Sequence, residues 1–474
     1  MIRFRVLPAV ALAAALSSTA LSTTAASAAH ADGWSLSVHR GGPARTFVVN
    51  APHGGEALLR FTTDAPGADW GIKGAEAAVA QVLVDGQRRT DLVVPSTTPT
   101  QRTIALGALA QGGHRVQVRF DDQASPPQVS RMNLVGIRAT VSAPTAADNP
   151  VLAHAPVVVG RALPMLGSAD QNATTDTPLL AWHEVHDAAT PGHRIVEYSV
   201  VWSNEDGGTD TPALMARWGR TTDIEWIYRV ELDALGQRVP GTDVYQAPNH
   251  QTLHFTGTYD AGHPVLQTCT SNNNMCDQVV LPPGQSGLRF LLATDESRLP
   301  DRARESLMDA HPWTYPVMAA EMTRENKVEQ PGSATTPQMS DQRNYLWVEM
   351  RKATGGAATT GSVPGVSIGV RLKGDPTLYR SDHNEPSWSV TRDDPAATTV
   401  ELPLGTSTLD IASIVALRQS SGPSDNGAPV TVLGVNRAFF LGADRLPQPS
   451  FLHKGTSLQL TPAQPEATLW SATG

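Results

Sequence analysis

Hydrophobic residues in this chain recur in short runs of strand length that end in glycine, proline, aspartate or asparagine. The runs TFVVNA (46–51), EALLRFTTD (56–64) and MNLVGIRATV (132–141) show the pattern clearly. Short apolar runs bounded by turn-forming residues are typical of β-strands. The sequence therefore predicts a mainly β protein built from two or more antiparallel β-sandwich or jelly-roll units, with a small helical insert.

The spacing of the runs predicts how the chain is divided. Residues 33–142 are predicted to form a small accessory β-sandwich, and the small, polar residues 143–149 to form a linker. Residues 150–474 are predicted to form a larger β-rich domain. Its helical insert is placed at 299–325, where residues that favour helices are enriched. A Gly- and Ala-rich segment at 353–361 marks a further subdivision of this domain.

The first 28 residues have the three parts of a secretion signal. Arg3 and Arg5 are followed by an apolar run at 6–16, and Ala26-Ser27-Ala28 matches an A-x-A cleavage site. The run is shorter than the roughly 20 residues that a spanning helix needs. We therefore expect an exported, extracellular protein with no transmembrane segment.

Composition narrows the class of partner. The formal net charge is -9, and charged residues make up 17% of the chain. Because no basic patch with interleaved aromatic residues is present, nucleic acid is not an expected partner. The ten tryptophans suit stacking against sugar rings, so a polysaccharide or another glycan is the expected ligand.

The clearest alternating pattern lies at 222–232 (TDIEWIYRVEL). Its predicted apolar face consists of Ile224, Trp226, Tyr228, Val230 and Leu232. Its polar face contains Asp223, Glu225, Arg229 and Glu231, and Ile227 breaks the alternation. Residues 250–259 (HQTLHFTGTY) alternate in the same way, with His250 and His254 on the polar side. If the two strands share a sheet, the two carboxylates and the two histidines share a face.

Carboxylates beside imidazoles suit general acid–base catalysis near neutral pH. Hydrolysis of a glycosidic bond usually takes two carboxyl groups. Glu225, Asp223, His250 and His254 are therefore the predicted catalytic residues.

A metal site is the alternative for the same stretch. The acidic turn at Asn204, Glu205, Asp206 and Asp210 offers oxygen ligands suited to calcium. Asp223, Glu225 and His250 offer another set for a divalent cation. The sequence itself requires no cofactor.

The only two cysteines, Cys269 and Cys276, are separated by TSNNNM. In an oxidising compartment two close cysteines usually pair, so a disulfide is predicted.

Three segments resemble known groups of proteins. VDGQRRTDLVV (84–94) and LGALAQGGHRVQVRF (106–120) resemble galactose-binding-like jelly rolls, which implies a glycan-binding accessory domain. Residues 203–226 resemble secreted bacterial proteins of unassigned function. Within them, GRTTDIEW (219–226) resembles the G-H-R-H-D-W-E segment of the necrosis-and-ethylene-inducing cytolysins, which are metal-bound β-sandwiches. Only Asp223 carries over, and both histidines of that segment are absent.

Three functions remain open at this stage. The leading hypothesis is a secreted carbohydrate-active enzyme, a polysaccharide-degrading hydrolase that uses the carboxylates of the 222–232 strand. A non-catalytic glycan- or surface-binding protein is the first alternative, and a cytolysin-like, metal-bound toxin is the second.

Overall fold

The computed structural model describes residues 33–163, 168–205, 207, 209–355 and 362–472. Its first part is a β-sandwich of two four-stranded antiparallel sheets, ordered β1-β8-β3-β6 and β2-β7-β4-β5. The strands are β1 Trp34–His39, β2 Arg45–Ala51, β3 Gly55–Asp64, β4 Ala78–Val84, β5 Gln87–Val94, β6 Thr100–Leu109, β7 Gly112–Phe120 and β8 Arg131–Ser142. Apolar residues that point inward from both sheets, such as Phe61 and Val116, fill the core between them.

The middle of the chain forms two more sheets. The strands are β9 Val157–Val159, β10 Pro178–Asp187, β11 Arg194–Trp202, β12 Asp223–Leu232, β13 Val244–Ala247, β14 Gln251–His254, β15 Tyr259–Asp260, β16 His263–Thr268, β17 Met275–Cys276 and β18 Arg289–Phe290. One sheet has the order β10-β11-β12-β13-β14, and the other has the order β15-β16-β9-β18 with β17 paired to β16. One core cluster contains residues of both sheets, including Tyr228 and Leu266.

Strand β12 corrects the predicted alternation. Ser199 of β11 pairs with Trp226, whereas the preceding Tyr198 pairs with Tyr228, so Ile227 is the extra residue of a β-bulge. The bulge moves Ile227 into the core. Trp226 instead lies against the Arg229 guanidinium, 3.9 Å from its ring centroid, and so belongs with the polar side chains.

The predicted strand at 250–259 is also wrong in its extent. The structure forms only β14 there, and His250 lies in the turn that precedes it. Tyr259 begins β15, which belongs to the other sheet. Because this turn interrupts the extended backbone, His250 and His254 are not side chains of one continuous strand.

The last part of the chain forms two further four-stranded sheets, ordered β22-β19-β24-β25 and β21-β20-β23-β26. The strands are β19 Tyr345–Thr354, β20 Gly365–Leu372, β21 Leu378–Arg380, β22 Asp394–Glu401, β23 Ile411–Gln419, β24 Val430–Phe439, β25 Lys454–Leu460 and β26 Glu466–Ser471. A third core cluster, which includes Val348 and Ile368, lies between these sheets.

The helices are short: α1 Asn149–Ala153, α2 Thr211–Trp218, α3 Ser306–Ala310 and α4 Thr314–Arg324. Helices α3 and α4 are the predicted helical insert. Val317 of α4 packs into the middle core, whereas Met318 and Met322 pack in a cluster with Trp347 and Phe439 of the last part. Helix α4 therefore contacts the middle core and the C-terminal strands together.

The mainly β fold class with a small helical insert is confirmed. The division into domains stays a prediction: 143–149 connects β8 to α1, and 353–361 lies largely outside the described residues, as does the predicted signal at 1–28. None of the described helices has the length and hydrophobicity that spanning a lipid bilayer requires.

Candidate carboxylate site

Strand β12 carries two carboxylates near its N-terminal end, at Asp223 and Glu225. Asp223 pairs in register with Trp202 of β11 and is 2% exposed. Glu225 follows two residues later, and the Gln246 amide of β13 donates a hydrogen bond to its Oε2 at 2.9 Å. The Glu225 side chain remains 18% exposed, so it reaches solvent from a strand whose other side faces the core.

His250 meets Glu225 because of the turn between β13 and β14. Asn249 and His250 have positive φ angles of 61° and 57°, which is uncommon for residues other than glycine. The His250 Nδ1 atom lies 3.8 Å from Glu225 Oε1, and the imidazole is about half exposed. A strained local conformation that aims a polar side chain into a cluster is a known feature of functional sites.

Glu205 joins the site from the loop after β11. The Asn272 side chain bridges it to His250: its amide nitrogen donates to Glu205 Oε1 at 2.6 Å, and its oxygen accepts from His250 Nε2 at 3.1 Å. The same nitrogen lies 2.8 Å from the Gly207 carbonyl oxygen, and the Thr209 backbone N–H donates to Glu205 at 3.2 Å. A continuous polar chain therefore runs from Glu205 through Asn272 and His250 to Glu225.

The surroundings in the site raise the pKa of two of its carboxyl groups. Burial raises the pKa of Glu205 to about 7, with a further contribution from the nearby Glu225 charge and an opposing one from Arg220. Burial, followed by repulsion from Glu225 and Glu205, raises the pKa of Asp223 well above its usual range. Near neutral pH Glu205 therefore exchanges its proton, while the shift at Asp223 favours the neutral form of that carboxyl group.

The loop closed by the disulfide supplies three asparagines to this site. Cys269 and Cys276 are bonded, as predicted, with Cα atoms 5.8 Å apart. Between them, the Asn273 amide donates to Asp223 Oδ2 at 3.0 Å and to Asp176 Oδ1 at 3.1 Å. Asn274 donates to the Gln246 side chain at 3.4 Å. A crosslink that holds such a loop also holds the hydrogen bonds that it makes to the carboxylates.

The structure brings together Asp223, Glu225 and His250 of the predicted catalytic set, and adds Glu205 from the predicted metal set. His254 lies elsewhere: it is exposed at the end of β14, opposite Val244, which pairs with Arg229 of β12. Arg229 is four residues beyond Glu225, which corresponds to about 14 Å along a strand.

The remaining residues of the predicted calcium turn are dispersed. Asn204 is buried and donates to Glu325 at 3.1 Å, Asp210 is exposed before α2, and Asp206 lies outside the described residues. Within the part of the chain that the structure describes, no group of three or more His, Cys, Asp or Glu side chains is arranged to hold a metal ion.

Sequence reasoning missed Gln246, Asn272, Asn273 and Asn274. The signal for the asparagines was present, because NNN is unusual between two paired cysteines. Gln246 had no such signal, since it reaches Glu225 only through the pairing of β12 with β13.

A separate groove of about 1320 Å³ is lined by parts of all three β regions and by the α3–α4 junction, and none of the carboxylate-site residues lines it. Arg102 and Trp313 meet in its wall, with the guanidinium 4.3 Å from the indole centroid. The groove provides room for a ligand away from the site.

Comparison with known proteins returned structures but no family. No family model matches the chain, and no curated protein matches it. The chain is similar to the CBM36-1 domain of a multidomain xylanase from the hindgut metagenome of Trinervitermes trinervoides, with 8% identity, a TM-score of 0.19, and coverage of 22% of this chain and 77% of that one.

Two further structures are carbohydrate-binding modules. The module CBM6cm-2 from Cellvibrio mixtus lichenase 5A, in complex with cellotriose, is 16% identical with a TM-score of 0.15, and covers 20% of this chain and 65% of its own length. A family 35 module from Clostridium thermocellum is 20% identical with a TM-score of 0.16, and covers 20% and 68%. Similarities at these identities and TM-scores do not assign a function to the chain.

Proposed function

We propose that the protein is an exported carbohydrate-active hydrolase in which Glu205 and Glu225 divide the work of cleaving a glycosidic bond. The observation that carries the proposal is the pairing of two carboxyl groups in unlike surroundings. Glu205 is buried and has a pKa of about 7, whereas Glu225 reaches solvent and accepts from Gln246. When two nearby carboxyl groups have different environments, one can stay protonated and act as the acid while the other stays ionised.

In the proposed reaction, protonated Glu205 donates its proton to the glycosidic oxygen as the bond from that oxygen to the anomeric carbon breaks. Glu225 acts from its ionised form, either by attacking the anomeric carbon or by taking a proton from the attacking water. If Glu225 attacks, water then cleaves the glycosyl ester and gives its proton to Glu205, so both carboxyl groups return to their starting states. If Glu225 instead takes the proton from water, it releases that proton to solvent and Glu205 takes one up from solvent. In either case the elements of water are added across the bond.

The other polar residues hold these two groups in place. His250 and Gln246 contact Glu225, and Asn272 contacts Glu205, so the orientation of both carboxyl groups is set by fixed neighbours. Asp223 lies behind them, fully buried and hydrogen-bonded to Asn273. We assign Asp223 to positioning, because it is 2% exposed, whereas Glu205 at 9% and the Glu225 side chain at 18% keep a surface that a ligand can reach.

The test is turnover on a panel of soluble polysaccharides, measured by reducing ends released. We expect Glu225→Gln and Glu205→Gln each to lower turnover about 10²-fold or more, the scale for losing a general acid or base. Because Glu205 must be protonated to act, wild-type activity should fall as the pH rises above about 7. Glu231→Gln, on the same strand but paired with His193, is the matched control and should keep full activity.

Melting curves of the variants establish that each is folded. A folded Glu225→Gln protein with undiminished turnover would show that this carboxylate is not catalytic. Retention of a polysaccharide by the wild type without any product would instead favour the glycan-binding alternative.

A further inference from the structure

Three arginines gather around Trp218 at the C-terminal end of α2, and a fourth acts on one of them. The Arg392 guanidinium lies 4.0 Å from the indole centroid, Arg220 lies at 5.5 Å and Arg217 at 6.0 Å. Arg304 lies two residues before α3 begins at Ser306, and its charge acts on Arg392. These four residues are called the arginine cluster below.

The arginine cluster holds more positive than negative charge. Glu305 accepts from Arg220 Nε at 3.1 Å, and Arg304 pairs with Glu197 at 3.1 Å and with Glu184 at 4.0 Å. Each of these last two carboxylates is shared with a further arginine, Arg229 or Arg298, so positive charge remains in excess. Arg392 donates to the backbone carbonyls of Arg217 and Ala397, and among the residues that the structure describes it donates to no carboxylate.

Arg217 is the free member of the cluster. It is partly exposed in the last turn of α2, and within the described residues its guanidinium has a contact with the Trp218 ring but no hydrogen-bond or ion-pair partner. Its five N–H donors are therefore available to a ligand.

Like charges held close together need a compensating anion. Arg220, Arg217 and Arg304 all repel the Arg392 charge, while Glu305 attracts it. Together with burial, which has the largest effect, this repulsion lowers the pKa of Arg392 to about 10. A bound oxyanion would relieve the repulsion and accept hydrogen bonds from the planar guanidinium groups.

The arginine cluster borders the carboxylate site. Arg220 and Arg217 both act on Glu205, where they favour its ionised form. The two sites are also joined along the chain, because Glu205 accepts from the Thr209 N–H just before α2, and Arg220 Nη1 donates to the carbonyl of Thr222, the residue before Asp223. A ligand bound at Glu205 and Glu225 that extends along α2 therefore reaches Arg217.

We propose that the substrate is an acidic saccharide whose oxyanion, a carboxylate or a sulfate, binds the arginine cluster through Arg217. This inference rests on the proposed function, because it places the anionic group beside the same two carboxyl groups. The formal net charge of the chain is -9, so its overall charge opposes the binding of a polyanion. Binding of an acidic glycan therefore requires a local positive site.

The test measures binding separately from cleavage. Wild-type protein is run through native gels that contain alginate, polygalacturonate, hyaluronan or chondroitin sulfate, and through gels that contain the carboxyl-reduced, unsulfated counterparts. We expect retardation by at least one acidic polymer and not by its neutral counterpart, and weaker retardation at higher salt. Retardation by carboxylated polymers identifies a carboxylate ligand, and retardation only by the sulfated polymer identifies a sulfate.

Substitutions assign the binding to Arg217. Arg217→Gln should weaken binding about tenfold or more, the scale of a lost charge-assisted hydrogen bond, while Arg217→Lys should retain part of it. Arg131→Gln, an exposed arginine on β8, is the matched control and should bind as the wild type does. Because Arg217 is partly exposed, its substitution should leave the melting temperature unchanged.

Two results would overturn the inference: no acidic polymer retards the wild type, or Arg217→Gln binds as tightly as the wild type. Cleavage of neutral polysaccharides alone would also overturn it while leaving the proposed hydrolase intact. Binding of an acidic polymer through Arg217 without cleavage would overturn the hydrolase and leave the anion site standing.

Discussion

The protonation of Glu205 links the stability of the protein to pH, and Glu205→Gln tests that link directly. In the folded protein the pKa of Glu205 is about 7, against an ordinary value of 4.5. Below about pH 4.5 the side chain is neutral in both the folded and the unfolded chain, so its ionisation does not change the unfolding free energy. Between pH 4.5 and about 7 the unfolded chain ionises this group while the folded protein keeps it protonated, so stability is lost over that range. Above about pH 7 both states are ionised, and the loss is complete.

The size of this loss follows from the two pKa values. A difference from 4.5 to about 7 corresponds to about 3 kcal/mol once both states are ionised. Glutamine has nearly the same shape and carries no charge to bury. We therefore expect Glu205→Gln to match the wild type near pH 4.5 and to exceed it by about 3 kcal/mol in unfolding free energy at pH 8.

The assay is urea unfolding of both proteins at pH 4.5, 6, 7 and 8, followed by tryptophan fluorescence. Glu385→Gln, a fully solvated position in a C-terminal loop, is the matched control and should differ from the wild type by the same small amount at every pH. A Glu205→Gln protein whose difference from the wild type does not grow between pH 4.5 and pH 8 would refute the assignment of a buried, protonated Glu205.

Two further predictions concern the disulfide loop and the predicted linker. Replacing both Cys269 and Cys276 by serine should lower the unfolding free energy by about 2–3 kcal/mol, measured by urea unfolding. It should also lower turnover, because the loop carries Asn272 and Asn273. Unchanged turnover would show that the loop does not order the site. Limited proteolysis should cut the exposed stretch at 144–148. The two fragments should stay together on gel filtration, because Leu58 and Ala105 of the first sandwich pack with Leu152, Val157 and Leu291. Separation of the fragments would show that this contact is weak.

Local patterns in the sequence were enough to predict the fold class and much of the site. Alternation at 222–232 predicted β12 and put Asp223 and Glu225 on it, because a strand imposes a period of two on its side chains. The pairing of Cys269 with Cys276 followed from their spacing, since only local chain closure is involved. Pro312 lies between α3 and α4, and its missing backbone donor is an equally local reason for the break between the two helices.

The position of Trp226 required the pairing of β11 with β12. A β-bulge is a mismatch between two strands, so the sequence of β12 alone shows only that Ile227 breaks the alternation. The turn that carries His250 is a similar case, because its positive φ angles are imposed where β13 folds back to pair with β14.

The sequence by itself determined that the chain is mainly β, where β12 and the helical insert lie, and which stretch carries the acidic and basic groups. Tertiary structure decided which of these groups meet. Glu205, Glu225 and Asn272 come from a loop, a strand and a disulfide-closed turn, and they meet only because the chain between them folds into one sheet and its neighbour. Burial at that meeting point is what raises the pKa of Glu205, and burial is a property of the packed protein that no local pattern contains.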